Sequence, residues 1–286
     1  MVTIDAFVPA SAGEKEKHKH YHELMEIAGV GNKALIDLHG KPMIAHVLEA
    51  LDASESIRSI TIFGLQPEDI GIDLTKPVDF LQGGSTSFDT LRIATEHFKS
   101  KKEVPNYILN ISSDIPLITS EMIDRAIAGV DFDSGLELFF NIVTSNDLYR
   151  LYPNAKKVAI KLREAPILTG DFHIFSPYVL EGREEALEAI MGNRKSVFGV
   201  IRVISFRYIF RYLLKRLTID DISSRFKKLF DLDAAFLLSE FPETCIDLDY
   251  PTDIEKFKDW MGQGSRKLDS EKAYTIRTSA ELREII

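Results

Sequence analysis

The sequence predicts an α/β fold with one main domain and an elaboration, and three observations carry that prediction. Short apolar runs of strand length alternate with helical stripes from the first residues to about residue 260. Two of these runs close on acidic motifs, Asn110-Ile111-Ser112-Ser113-Asp114-Ile115-Pro116 and Cys245-Ile246-Asp247-Leu248-Asp249-Tyr250-Pro251-Thr252-Asp253. Each motif reads as a strand end that delivers carboxylates before a proline opens a helix, and open α/β sheets bind ligands at that edge. A chain of 286 residues with 45% hydrophobic content has enough apolar surface for one large core or two modest ones.

The elements follow in order. Val2 to Val8 is an apolar run stopped by Pro9, a first strand, and a polar Lys/His-rich stretch from Glu14 to His22 comes after it. Leu35 to Leu38 is a brief extended piece, Gly40-Lys41-Pro42 a turn. Met43, Ile44, Val47, Leu48 and Leu51 share one helical face. Ile60 to Phe63 and Val78 to Leu81 are strands, the second ending at Gly83-Gly84, with a helical stripe of Leu91, Ala94 and Phe98 beyond. Tyr107 to Ile111 is the central strand; Ile118, Met122, Ile123 and Ile127 mark the helix after Asp114, with Thr119 or Ser120 as its N-cap. Leu136 to Val143 and Val158 to Leu162 are strands, and Ile167 to Phe175 is extended around a turn at Thr169-Gly170. Arg183 to Met191 is helical. Lys195 to Phe230 is nearly continuous helix with two breaks. Ala234 to Leu238 and Thr244 to Leu248 return to strand, Pro251 to Met261 is the last core helix, and a polar tail ends in a short helix near Ser279 to Ile286.

Composition narrows the function classes. With 35 basic against 44 acidic side chains, a net charge of -9 argues against a nucleic-acid backbone as the main partner. One cysteine, Cys245, excludes an internal disulfide framework and fits a reducing cytoplasm. Met1 to Ala10 lacks the pattern of a signal peptide, and no stretch reaches the ~20 uninterrupted apolar residues of a spanning helix. The expectation is a soluble, cytoplasmic protein.

Four pieces in order carry a resemblance: Asn32-Lys33-Ala34-Leu35-Ile36-Asp37-Leu38-His39-Gly40-Lys41-Pro42-Met43-Ile44, Gly83-Gly84-Ser85, Ser113-Asp114-Ile115-Pro116, and Asp247-Leu248-Asp249-Tyr250-Pro251-Thr252-Asp253. Over roughly residues 2 to 260 the chain resembles nucleotidyltransferases of GT-A-like, Rossmann-related fold. The groups it is most similar to are the molybdenum-cofactor guanylyltransferase-like proteins and the cytidylyl- and sugar-phosphate nucleotidyltransferases. The resemblance implies a mixed, mostly parallel sheet flanked by helices, with residues 1–262 as the transferase-like domain. A helical insertion falls at about 194–230 and a C-terminal tail at 263–286. It also implies transfer of a nucleoside monophosphate from an NTP to a phosphorylated or hydroxyl-bearing small molecule, with release of pyrophosphate. Such chemistry rests on positioning and on charge stabilisation by Mg²⁺ (or Mn²⁺) and cationic side chains. The acceptor expected is a sugar phosphate or a lipid-linked alcohol.

On the same footing, Asp114 and Asp249 would hold the metal, with Asp247 as substitute ligand. Lys33 would contact the NTP phosphates, Ser11 and Gly13 would form the phosphate loop, and Gly83, Gly84 and Ser85 would lie along the nucleoside. Lys41 reads as a surface charge. Asp171, beside the Thr169-Gly170 turn, is a candidate contact for acceptor hydroxyls, and a simple turn accounts for it equally well. The N-terminal stretch Pro9-Ala10-Ser11-Ala12-Gly13-Glu14 departs from the family pattern, which is richer in glycine so that backbone amides cradle the triphosphate. His18 and His22 share a helical face, yet lack a third ligand for zinc. Two rival readings stand: a GT-A glycosyltransferase using the Asp-x-Asp form of residues 247–249, and a degenerate nucleotide-binding protein. In the segment from Lys195 to Leu217, apolar residues interleave with Arg202, Arg207, Arg211, Lys215 and Arg216. That pattern suits a helical subdomain packed beside the sheet, and, less favoured, peripheral contact with an anionic membrane. The oligomeric state is open.

Overall fold

A computed structural model describes residues 2–10, 19–193, 206–262 and 274–286. Its centre is a nine-stranded sheet. In chain order the strands are β1 (Ile4–Pro9), β4 (Ile60–Phe63), β5 (Val78–Leu81), β6 (Tyr107–Ile111), β7 (Leu138–Thr144), β8 (Ile160–Lys161), β9 (Pro166–Phe175), β10 (Ala234–Leu238) and β11 (Tyr274–Ile276). A separate two-stranded ribbon of β2 (Asp37–Leu38) and β3 (Lys41–Pro42) flanks it. The sheet order is β11-β10-β7-β9-β6-β1-β4-β5, with β8 beside β9. Strands β6, β1, β4 and β5 are parallel, as are β7 and β10; β9 runs antiparallel between β6 and β7. The C-terminal ends of β1, β4, β5, β6, β7 and β10 therefore all lie along one edge.

Strand alternation sends one set of side chains to each face. Ile4, Ala6, Val8, Ile60, Ile62, Leu109 and Ile111 pack under helices α2 (Met43–Ala53), the one-turn α3 (Pro67–Ile70) and α5 (Ser120–Ala128). Phe7, Phe63 and Ile108 face the other way, against Phe88, Ala94 and Phe98 of α4 (Ser87–Ser100) and Phe226 and Phe230 of the helix Ile219–Phe230. A third apolar cluster, with Leu24, Ile36, Leu148, Leu168, Ile246, Leu248 and Phe257, closes around the second acidic motif. It draws on α1 (Lys19–Ala28), α6 (Ser145–Leu151) and the helix Pro251–Gly262. Asp5 is fully buried within β1, and the Arg58 guanidinium compensates it with two parallel bonds of 2.8 and 2.9 Å.

The mixed, mostly parallel sheet with flanking helices is the architecture the sequence predicts. Local differences have physical causes. The motif expected as strand Thr244 to Leu248 is instead a 3-10 turn at Pro242–Cys245 followed by irregular chain. Pro242 occupies the first helical position, and the Thr244 N–H is spent locally on Phe241 O at 3.1 Å. Thr169-Gly170 is not a turn: both residues lie inside β9, where the pairing with β7 shifts register between Phe140 and Ile142. A Cβ on Gly170 would meet Asn141 Nδ2, Thr244 O at 2.7 Å and Cys245 Sγ at 3.2 Å, so glycine is demanded by close packing. The expected tail contributes β11, antiparallel to β10, and the short helix Ser279–Ile285, whose Leu282 is buried. Of the helical insertion, residues 194–205 lie outside the described residues. The remainder forms helices Phe206–Leu213 and Ile219–Phe230, separated at Lys215, whose φ of 53° is left-handed.

Gly170→Ala is expected to lower stability by about 1–3 kcal/mol through overpacking. Gly192→Ala, in a helix with open space around the new methyl, should leave stability unchanged or raise it slightly. Urea unfolding midpoints of the two variants check the contrast.

Candidate active site

The acidic motifs converge at the common edge. Beyond β6, the Ser112 N–H donates to Asp171 O at 3.0 Å and the Ser112 hydroxyl to Asp114 Oδ1 at 2.5 Å. Thr119 caps α5, accepting from Met122 N–H at 3.3 Å, so the Asp114 carboxylate is not spent on the helix. The two motifs are stitched together directly: the Leu248 N–H donates to Asp114 O at 3.1 Å. At the start of the helix Pro251–Gly262, Asp253 accepts from the N–H groups of Asp249 and Tyr250 at 3.3 and 3.0 Å. That capping by Asp253 leaves the Asp249 side chain for other partners.

The partner is Lys33. It opens a 3-10 turn (Lys33–Leu35) whose preceding Asn32 accepts from Ala34 N–H at 2.9 Å and donates its amide to Ala10 O at 2.8 Å. Ala10 in turn donates to Phe63 O at 2.9 Å, so the lysine loop is anchored to the ends of β1 and β4. Lys33 Nζ donates to Asp114 Oδ2 at 2.7 Å and to Asp249 Oδ1 at 2.6 Å, and lies 4.8 Å from the centre of the Tyr21 ring. Burial disfavours the ammonium, but Asp114 and Asp249 outweigh it and hold the Lys33 pKa well above the ordinary lysine range. The same lysine, outweighing burial, keeps Asp249 below the usual carboxylate range.

A second lysine completes the arrangement. Lys157, in the loop between α6 and β8, pairs with Asp247, and Asp171 lies beside them. Burial pushes Asp171 up to about 6, with the Asp114 charge acting in the same direction. Burial, with Asp171 and Asp114, pushes Asp247 up to about 8 against the opposing pull of Lys157. Four carboxylates thus share two ammonium groups. One oxygen each from Asp114, Asp247 and Asp249 lies within 4.8 Å of the others, a grouping able to hold a metal ion.

The structure therefore brings Lys33, Asp114, Asp247 and Asp249 together. It places Gly83, Gly84 and Ser85 at the same edge, after β5 and three strands away from β6. Gly84 packs on the start of α4, where a Cβ would come within 2.7 Å of Thr90 N, and its N–H donates to Thr90 Oγ1 at 2.9 Å. Helix packing alone accounts for that glycine. Ser85 bonds to Asp89. Ser11 and Gly13 lie outside the described residues, as do His18 and the side chain of His20; His22 is exposed. Lys41 pairs with Glu49 on the surface. Sequence reasoning missed Lys157, one of a Lys156-Lys157 doublet in a polar loop with no motif around it.

The fold and this edge define the class: an α/β protein whose mixed, mostly parallel sheet carries an acidic, lysine-bearing carboxyl edge. No family model matches the chain. The chain is similar to the 2-C-methyl-D-erythritol 4-phosphate cytidylyltransferase of Synechococcus sp. (strain JA-3-3Ab), 31% identical over 130 residues that cover 40% of this chain and 54% of the relative. The enzyme of the same name from Parasynechococcus marenigrum is 40% identical over 77 residues, 23% of this chain and 34% of that one. The chain thus spans about half, or a third, of the length of these curated relatives. Among solved structures, a hypothetical transferase from Thermus thermophilus superposes with a TM-score of 0.72 at 23% identity, covering 89% of this chain and all of that one. A 4-diphosphocytidyl-2C-methyl-D-erythritol synthase from Anaerococcus prevotii gives 0.53 at 13% identity, covering 91% of this chain and 96% of that one. The relatives named are cytidylyltransferases, one of the groups the sequence resembles; the guanylyltransferase-like resemblance gains no support from them.

Beneath the site, Cys245 is fully buried, and burial pushes its thiol up to about 12. The native protein should accordingly resist a thiol reagent at mildly alkaline pH, releasing one equivalent of chromophore only on unfolding.

Proposed function

We propose that this protein is a cytidylyltransferase, transferring CMP from CTP to a phosphorylated, sugar-like small molecule and releasing pyrophosphate. The observation that carries this reading is the Lys33 ammonium held between Asp114 and Asp249, with Asp247 close by, at the C-terminal edge of the sheet. The cytidylyltransferase relatives supply the choice of base and of acceptor class.

The chemistry follows from the charges. An acceptor phosphate oxygen attacks the α-phosphorus of the triphosphate, and the bond to the bridging oxygen breaks, with its electron pair leaving on pyrophosphate. The attacking oxygen is already ionised, so no general base is needed. Asp114, Asp247 and Asp249 offer only carboxylate oxygens, the donor set of a hard divalent cation such as Mg²⁺ or Mn²⁺. Four acids against two lysines leave negative charge uncompensated there, which suits such an ion. When bound, it would neutralise charge developing on the phosphoryl oxygens. Lys33, anchored through Asn32 to the ends of β1 and β4, would bind the triphosphate. Lys157 and Asp171 stand on the β8–β9 side of the cluster, where Lys157 would bind an acceptor phosphate and Asp171 its hydroxyls.

Asp114→Asn and Asp249→Asn should each lower the rate of pyrophosphate release from CTP about 10²–10³-fold with the far-UV circular dichroism unchanged. Retained turnover in Asp114→Asn refutes the assignment, and reaction with nucleotide sugars but not NTPs would point to a glycosyltransferase. Lys157→Ala should raise KM for the acceptor phosphate far more than KM for CTP, a split that steady-state kinetics measures directly.

A further inference from the structure

The helix Phe206–Leu213 packs on the protein through Tyr208, Ile209 and Tyr212, and Arg211 is tied to Asp221 at 2.7 Å. Its other side exposes apolar side chains. Phe210 is 66% exposed, Leu213 59% and Leu214 64%. Positions three and four apart share a helical face, so these three form one apolar patch. Ten large hydrophobic side chains are exposed among the described residues, and three of them fall within these five positions. Scattered single residues need no explanation, but a cluster does. The Lys215 backbone, with its left-handed φ of 53°, ends the helix beside the patch, and exposed Arg207, Lys215 and Arg216 border it.

Charge identifies the occupant. From residue 194 to residue 219 the sequence carries seven Lys/Arg and no Asp/Glu, although the whole chain has a net charge of -9. A second copy of the chain docking patch to patch through a twofold axis would bring two basic rims together, like charge facing like. A nucleic-acid backbone would pair with the cations and leave Phe210, Leu213 and Leu214 in water. An anionic bilayer satisfies both halves at once: its headgroups meet the basic rim while the apolar side chains enter the acyl boundary. No helix among the described residues is long and apolar enough to cross a membrane, so the contact would be peripheral.

We propose that the patch of Phe210, Leu213 and Leu214, with its rim of Arg207, Lys215 and Arg216, docks this protein on an anionic lipid surface. One hydrogen bond links the end of this segment to the sheet. Leu217, just beyond the rim, accepts a hydrogen bond at 2.8 Å from the N–H of Arg163, in the loop between β8 and β9. The docking does not depend on the catalytic reading.

Flotation of the full chain with vesicles tests it. The protein should rise with vesicles of phosphatidylcholine and phosphatidylserine, stay behind with phosphatidylcholine alone, and be released by high salt. The double variants Phe210→Glu/Leu214→Glu and Lys215→Glu/Arg216→Glu should each lower the bound fraction about tenfold or more. Their thermal midpoints should match the parent, because these side chains are exposed. Failure to float with anionic vesicles overturns the proposal, as does undiminished flotation of Phe210→Glu/Leu214→Glu. A concentration-dependent dimer in light scattering that the same variant abolishes would assign the patch to a second copy instead.

Discussion

The ammonium of Lys33 sits between the carboxylates of Asp114 and Asp249, and the acidic edge of the sheet is organised by that three-way contact. Like charges as close as those of Asp114, Asp247 and Asp249 repel unless a cation stands among them. Removing one partner from a largely buried ion pair costs about 3–5 kcal/mol, since the remaining charge is stranded. The chain meets this constraint with cations from irregular segments, Lys33 from a 3-10 turn and Lys157 from a loop. Acids come from strand ends and from the stretch before a helix. Of the four acids only Asp171 lies within a strand, while Asp114, Asp247 and Asp249 sit on turn or irregular chain just outside regular elements.

Strand direction explains why these residues can meet at all. Parallel strands β6, β7 and β10 send their C-terminal ends to one edge, so segments far apart in sequence emerge side by side. The antiparallel β9 enters from that same edge and carries Asp171 down beside Ser112. Its close approach to the turn at Pro242–Cys245 requires a residue without a side chain at Gly170. The third apolar cluster then packs α1, α6 and the helix Pro251–Gly262 around the motif, raising the cost of leaving any charge there unpaired. Burial and attraction together push Asp249 and Asp247 to opposite sides of the ordinary carboxylate range.

Much of this was legible in the residues. The run Tyr107 to Ile111 followed by Asp114 reads as strand and acid, and the structure has both in place; Pro116, read as opening a helix, lies instead in the turn before α5, which starts at Ser120. Thr119 as cap follows from its position before the apolar stripe of α5. Less was visible where a pattern has two physical causes. Cys245 to Leu248 is apolar because it is packed by a cluster, not because it is a strand. Gly170 and Gly84 look like turn residues, yet both are there because another segment passes too close for a methyl group. Tyr274 to Ile276 is a strand only because β10 offers it an edge.

The residues by themselves determined the alternation of strand and helix, the caps, the acidic motifs and the placement of Lys33 just before the β2–β3 ribbon. These are local properties, set by periodicity and by hydrogen-bonding groups within a few positions of one another. Only the tertiary structure decided that Lys157 joins Asp247, that Asp171 faces the same cluster, and that Phe210, Leu213 and Leu214 are left uncovered. Those outcomes depend on which strand ends share an edge and which helix faces find a neighbour, and neither is encoded within the span of a single turn or strand.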